Sequence, residues 1–430
     1  MYSRGRDVGA VSFLLPGRIG SLILLFVALN STARAEEHCS NGYELTDPVP
    51  LTKALATRPH DAHLLVCLGD VYRRRGNAAA AMDFYRKAVV ADGRNIDAWL
   101  GVTTLLRSAL EKDPSNQALR LQLIEATLHA DRTADLEGEI TLLLESEPPQ
   151  EEKLKLTAIL ITAGKLDRAQ TILDGLAKGG PVPEEVSFQS GLILMEKGDY
   201  EGAVMDVGRA VQAEPGESKY SLALAQALLR WHHYTTAQAF LHAVEKNFGS
   251  IAEFQYDLAY TYYGTHDMQP AVTILSSLIK GHPQYSPALF LLGECYGEMG
   301  DLTRGKQFLS DAIIADGTKA VYYASLVEVE RHQGNCVDAL AMAKKGLALD
   351  PDDAELILGS ALCHEKVGEF ASAQHLLERL VQLQPNNLTA HRVLARIYGR
   401  TGNKAAAIAE SRKLQQLADT PPTINSTKSK

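Results

Sequence analysis

From Ala169 to Ala407 one position recurs every 34 residues as a small side chain: Ala169, Ala203, Ala237, Ala271, Gly305, Ala339, Ala373 and Ala407. Eight copies without an insertion or deletion form a register. A register of that length implies a stack of repeated units, each too small to bury its own apolar face alone. Twelve residues upstream runs a second, mostly small column: Thr157, Gly191, Ala225, Ala259, Gly293, Val327, Ala361 and Ala395. Small side chains on both columns let two paired helices approach closely. A third column, Pro181, Pro215, Gly249, Pro283, Gly317, Pro351 and Pro385, breaks the chain at the end of each unit.

The unit from Glu184 to Glu217, EEVSFQSGLILMEKGDYEGAVMDVGRAVQAEPGE, shows the logic most clearly. It reads as two short helices in which Gly198 supplies a left-handed stop, Asp199 caps the next helix, and Pro215 ends it. Aromatics are 7% of the chain and long alternating β-branched runs are absent, so the expected class is all-α.

The 34-residue period and its columns resemble the tetratricopeptide repeat (TPR). The resemblance implies a right-handed superhelical solenoid of helix-turn-helix repeats, in which the first helix of each module lines a concave groove that binds peptides or protein surfaces. Eight contiguous modules are expected over 150–421, starting at Gln150, Glu184, Ser218, Ala252, Ser286, Ala320, Ala354 and Leu388. A ninth spans 62–95, with Leu65, Leu68, Gly69, Tyr72, Ala81, Tyr85 and Ala88 at the signature places. Between them the phase slips, because Ala81 to Ala169 is 88 residues, two periods plus twenty. The region 96–149 therefore reads as shortened. It holds one longer helix from Ile96 to Lys112, then a degenerate module from Ser115 whose turn at Asp131-Arg132 lacks glycine. Residues 36–61 read as an N-terminal segment with a capping half-repeat marked by Leu51, Ala54 and Pro59, and 422–430 as a disordered tail.

Residues 1–35 have the layout of a secretory signal: Arg4, Arg6 and Arg18, an apolar stretch from Ile19 to Leu29, then Ala33-Arg34-Ala35 as a cleavage site. Eleven apolar residues are too few to cross a bilayer, which disfavours a permanent anchor. Cys39 follows Glu37-His38 rather than the small apolar residues expected before a lipidated cysteine. The expected product is exported, periplasmic or extracellular, with no stable membrane insertion. Cleavage removes four arginines and Asp7, leaving 39 basic against 51 acidic residues, a net charge of −12. Nucleic-acid binding, which needs a basic surface, is disfavoured. Of five cysteines, Cys295 and Cys363 hold the same position in modules separated by a third, too far apart to bridge. Cys39 with Cys67 stays open, and the odd count leaves at least one thiol unless chains are cross-linked.

On each first helix the stripe at positions two, five, nine and twelve should face the groove. Position five of four successive modules gives Phe188, Leu222, Tyr256 and Phe290, and Tyr256, Tyr260 and Tyr263 share one helix face at i, i+4 and i+7. Two readings stand: an aromatic partner-binding wall with hydroxyls for hydrogen bonds, or rings that stack neighbouring modules together. Tyr260 and Tyr263 are the members expected to be exposed. Arg392, Arg396 and Arg400, with Lys366 on the preceding module, form a basic row that can receive carboxylates or remain a solvated face. Glu294, Glu298, Glu328 and Glu365 occupy intervening groove positions, so a ligand there should be mixed in charge. The carboxylate clamp that some TPR domains use on acidic chaperone tails is not matched: the 62–95 module has Val66 and Asp70 at the fifth and ninth positions.

His60, His63 and Cys67, with His38-Cys39 upstream and His232-His233 elsewhere, match no zinc spacing. Cys67 reads as a buried thiol and His232-His233 as a surface turn. No phosphate-cradling glycine loop, nucleophile elbow or HExxH appears, so no catalytic, cofactor or metal role is assigned. Asn387 and Asn425 begin glycosylation sequons. The sequence thus points to a non-enzymatic interaction scaffold for a protein or peptide. The alternatives are a structural subunit or assembly factor of a cell-envelope or secretion complex, and an accessory binding subunit for a separate enzyme. Partner identity and oligomeric state stay open.

Overall fold

The computed structural model describes residues 47–130, 133–178 and 182–419. The signal-like leader, Cys39, the Asp131-Arg132 turn, Pro181 and the tail with Asn425 lie outside the described residues. Among those described there are 22 helices and no strand. They fall into two compact units whose boundary in the sequence lies between Leu224 and Ala225.

The first unit holds α1 (Pro48–Thr57), α2 (Ala62–Arg74), α3 (Ala78–Ala91), α4 (Ile96–Lys112), α5 (Gln117–His129), α6 (Thr133–Glu145), α7 (Gln150–Thr162), α8 (Leu166–Leu176), α9 (Glu184–Lys197), α10 (Tyr200–Ala213) and the start of α11 (Ser218–Arg230). The rest of α11 belongs to the second unit. That unit continues with α12 (Tyr234–Phe248), α13 (Ala252–Gly264), α14 (Met268–Gly281), α15 (Ser286–Glu298), α16 (Leu302–Ala315), α17 (Ala320–Gln333), α18 (Cys336–Leu349), α19 (Ala354–Val367), α20 (Phe370–Leu383), α21 (Leu388–Arg400) and α22 (Lys404–Asp419).

Local chemistry sets these boundaries. Asp61, Asn77, Asn95, Asn116, Asp199, Asp301, Asp353 and Asn387 each cap a helix by accepting a backbone N–H three residues on. Between paired helices one residue adopts a left-handed conformation at 34-residue intervals: Gly164, Gly198, His232, His266, Gly300, Gly334, Gly368 and Gly402. Six are glycines, for which this geometry is free of Cβ strain, and two are histidines. His232 thus lies in a turn, as the sequence led us to expect.

The small columns are where paired helices touch. Ala169, Ala203, Ala237, Ala271, Ala339 and Ala373 are fully buried. A Cβ on Gly191 would collide with Val207 Cγ2, and one on Gly293 would press on Leu309. Within each unit most consecutive helices pack on each other, and first helices also pack on the first helices of adjacent modules, as in α2 on α4, α7 on α9, α13 on α15, α15 on α17, α17 on α19 and α19 on α21. This is the one-dimensional packing of a helical solenoid.

In the N-terminal region α4 packs against α2, α3 and α5. Val102, Leu106 and Leu110 of α4 enter a core shared with Leu123 and Ala126 of α5 and with Ala81, Tyr85 and Ala88 of α3. Tyr85 wedges between Gly69 of α2 and Gly101 of α4, where a Cβ on either glycine would meet its ring. Its hydroxyl donates to Asp70 Oδ1 at 2.6 Å and accepts from Arg73 Nε at 3.3 Å. Asp70, at the ninth position of its module, is therefore committed to holding α2, α3 and α4 together.

Candidate functional site

Helix α13 carries the tyrosine row. Successive turns place the Tyr256 and Tyr260 rings 6.2 Å apart and the Tyr260 and Tyr263 rings 6.1 Å apart. Two further rings come from other elements. Tyr234, which opens α12, lies 6.2 Å from Tyr260, and Tyr285, just ahead of α15, meets Tyr256 edge-on at 6.1 Å. Gly264 ends α13 without a side chain because the Tyr234 ring occupies that space. The result is a five-tyrosine cluster in the second unit.

The cluster corrects one expectation. Tyr260 is only 6% exposed and Tyr263 only 9%, no more open than Tyr256 at 6%. The cause is ring covering ring, as Tyr234 and Tyr256 flank Tyr260 and Tyr260 flanks Tyr263. Phe290 of α15 is also buried, stacked at 4.7 Å on Tyr322 of α17, so its role is to join neighbouring first helices. Phe188 and Leu222 belong to the first unit and are half-buried. The Phe188 ring lies 4.9 Å from Tyr220 and beneath Lys219 Nζ, while Glu185 accepts from Lys219 Nζ at 2.8 Å and from Tyr220 Oη at 2.9 Å. Lys219, Gln189 and Tyr220 together hold the Glu185 carboxyl below its usual range despite the opposing effect of burial, which is the largest single influence.

The tyrosine cluster contains a carboxylate. Asp257 follows Tyr256 on α13 and is 4% exposed. Burial, reinforced by the nearby Glu253 charge, pushes its carboxyl well above the usual range, while a hydrogen bond from the Gln226 side chain of α11 opposes the shift. Burial likewise raises the Tyr256 hydroxyl, with Tyr260, Asp257, Tyr322 and Tyr285 adding to it. Neither Tyr256 Oη nor Asp257 Oδ2 has a hydrogen-bond partner. Sequence reasoning missed Asp257, Gln226, Tyr234 and Tyr285. A lone acid inside the otherwise uncharged run YDLAYTYY was the available signal for Asp257. The other three arrive from α11, α12 and the lead into α15 and carry no local mark.

The basic row near the C-terminus is partly closed on itself. Arg396 Nε and Nη2 donate to the two oxygens of Glu365 at 2.7 and 2.6 Å, and Arg400 lies 4.0 Å from the same carboxylate. The Arg400 guanidinium also sits 5.7 Å from the Phe370 ring, whereas Arg392 is exposed. Glu328 pairs with Arg331 and His332 of its own helix. The acidic and basic groove positions thus largely neutralise each other along α17, α19 and α21.

Cys67 is buried, but it is disulfide-bonded rather than a free thiol. Cys295, Cys336 and Cys363 are free and buried. Among the described residues no group of three or more His, Cys, Asp and Glu side chains is placed to hold a metal ion. Nor is any helix among them long and apolar enough to cross a membrane.

Three family models described as tetratricopeptide repeat match this chain, over residues 51–96 and 159–218, 287–314, and 331–397. A sequence relative, "Cellulose synthase operon protein C" of Xanthomonas axonopodis pv. citri (strain 306), is 22% identical over 414 residues, 88% of this chain and 25% of that protein. The chain thus spans a quarter of that relative's length. Among solved structures, the Cut9-Hcn1 hetero-tetramer of the APC/C is similar with a TM-score of 0.49 at 14% identity, covering 84% of this chain and 74% of that one. TTC0263, a thermophilic TPR protein of Thermus thermophilus, is similar with a TM-score of 0.38 at 20% identity, covering 42% and 98%. Together the 34-residue register, the helix pairs stacked first helix on first helix and the three matching models show that this chain carries tetratricopeptide repeats.

Proposed function

We propose that this chain is an exported, non-enzymatic interaction scaffold that seats a peptide or partner protein along its first helices, centred on Tyr256, Tyr260 and Tyr263. The observation that carries this reading is the tyrosine cluster itself: rings from α12, α13 and the lead into α15 converge on one first helix, where the buried Tyr256 hydroxyl has no hydrogen-bond partner. Tyrosine supplies large contact area with few rotatable bonds, which suits recognition of a side chain or an extended backbone. Export is supported by the signal-like leader and by the disulfide at Cys67, since structural disulfides persist in oxidising compartments.

A capture experiment on the exported fraction tests this. Replacing all three tyrosines by serine should abolish capture of the partner, with circular dichroism reporting helicity. Because these rings are buried, a second variant carrying phenylalanine at all three positions keeps the packing and removes only the hydroxyls. It should fold like the wild type and capture less. Wild-type capture by a folded serine variant, or by the phenylalanine variant if the serine protein unfolds, would sink the reading.

The similarity to a cellulose synthase operon protein over most of the chain favours a second reading, a structural or accessory subunit of a cell-envelope complex. Under it, the captured partner would be a membrane-associated enzyme or one of its subunits.

A further inference from the structure

Asp257 is costly where it stands. An unpaired, buried carboxylate oxygen destabilises a fold, and an asparagine of the same shape carries no charge to desolvate. Tyr256 Oη adds a second unpaired polar atom on the same helix. Both residues are more than nine-tenths buried. Their surroundings favour one kind of ligand. The charge acting on Asp257 comes from Glu253, one turn earlier on α13 and exposed at the surface. Helices α13 and α15 together carry Glu253, Asp257, Glu294 and Glu298 and not one Lys, Arg or His. By contrast the first helices that follow are furnished with bases: Arg331 and His332 on α17, Lys366 on α19, and Arg392, Arg396 and Arg400 on α21.

A cation meets each requirement of this place. Its N–H groups donate to Asp257 Oδ2 and Tyr256 Oη, two carboxylates attract it, and the Tyr256, Tyr260 and Tyr285 rings offer aromatic faces. An anion would be repelled by Glu253 and Asp257, and an apolar group would leave both oxygens unpaired. We propose that Asp257 and Tyr256, beside Tyr260 and Tyr285 and with Glu253 at the surface, form a recognition site for a cationic side chain, arginine or lysine, presented by the bound partner. The proposal rests on the scaffold reading above and specifies the chemistry of its central contact.

The test uses the full chain and two acetylated, amidated pentapeptides, Gly-Leu-Arg-Leu-Gly and its counterpart with neutral citrulline in place of arginine. Tyrosine-ring NMR signals report binding. The arginine peptide should bind at least about tenfold more tightly than the citrulline peptide, and Asp257→Asn should erase that preference. The Asn variant relieves a buried charge, so it should fold at least as well as the wild type, and its thermal unfolding checks this. Equal binding of the two peptides overturns the cation site, and so does a preference that survives in Asp257→Asn or the failure of both peptides to shift the tyrosine signals. None of these outcomes touches the scaffold reading, which the capture experiment decides separately.

Discussion

At the scale of single residues, two positions are held in conformations or protonation states that their neighbours impose. His266 adopts a φ of 61° where seven other modules place glycine. A side chain in that region carries about 1 kcal/mol of strain. His266→Gly should therefore leave the turn unchanged and raise stability by a sizeable fraction of about 1 kcal/mol, the entropy of glycine taking back part of the gain. Gly334→Ala, at a φ of 87°, should do the reverse. Urea midpoints measure both. Asp257 responds to pH. Burial raises its folded-state pKa above the unfolded value of about 3.9, so the native state holds the proton more tightly. Its carboxyl costs little below that unfolded value. As pH rises from there toward the raised native value, stability falls. Asp257→Asn should remove this slope, matching the wild type near pH 4 and exceeding it at neutral pH in urea titrations. The turn column was legible in the sequence because glycine marks a backbone need. Asp257 was marked only as a lone acid in an uncharged run, and its cost was not legible, since that arises from burial among rings whose positions no local pattern gives.

At the scale of helices, the small columns set how closely partners approach. Gly191 on α9 lies where a Cβ would strike Val207 Cγ2 of α10, and Val207 is fully buried. Gly191→Ala should cost about 1–3 kcal/mol by overpacking. Shortening the opposing residue by Val207→Ala should recover part of that loss in the double variant, a non-additive result that a thermodynamic cycle on unfolding midpoints detects. The same geometry explains what the sequence could and could not reveal about the tyrosines. Their spacing put Tyr256, Tyr260 and Tyr263 on one face of α13, and the structure keeps them in ring contact there. Periodicity defines a face but not its depth. The expected exposure of Tyr260 and Tyr263 failed because Tyr234, from α12 and outside the helix whose pattern was read, covers Tyr260, which in turn covers Tyr263. The basic row differs for a related reason: Arg396 meets Glu365 31 residues away, a pairing set by stacking of α21 on α19.

At the scale of the molecule, a chain whose helices pack mainly on their sequence neighbours should lose stability locally when one end is removed. The last module, α21 and α22, contributes Ala390, Val393, Leu394, Ile397 and Tyr398 to a core shared with Ile357, Ala361, Ala373, Leu377 and Leu380. It also supplies Arg396 to the 8%-exposed side chain of Glu365. Truncation after Gln384 removes helices of 13 and 16 residues and leaves Glu365 without that cation. The shortened protein should lose helical signal in proportion to those residues and unfold at lower urea, because α19 and α20 now face water along one side. Adding Glu365→Gln to the truncation should recover part of the lost midpoint, while the same substitution in the full chain should lower it by breaking the pair with Arg396. Collapse of the whole helical signal on truncation, or a Gln substitution with the same effect in both lengths, would show that stability is shared far beyond neighbouring modules.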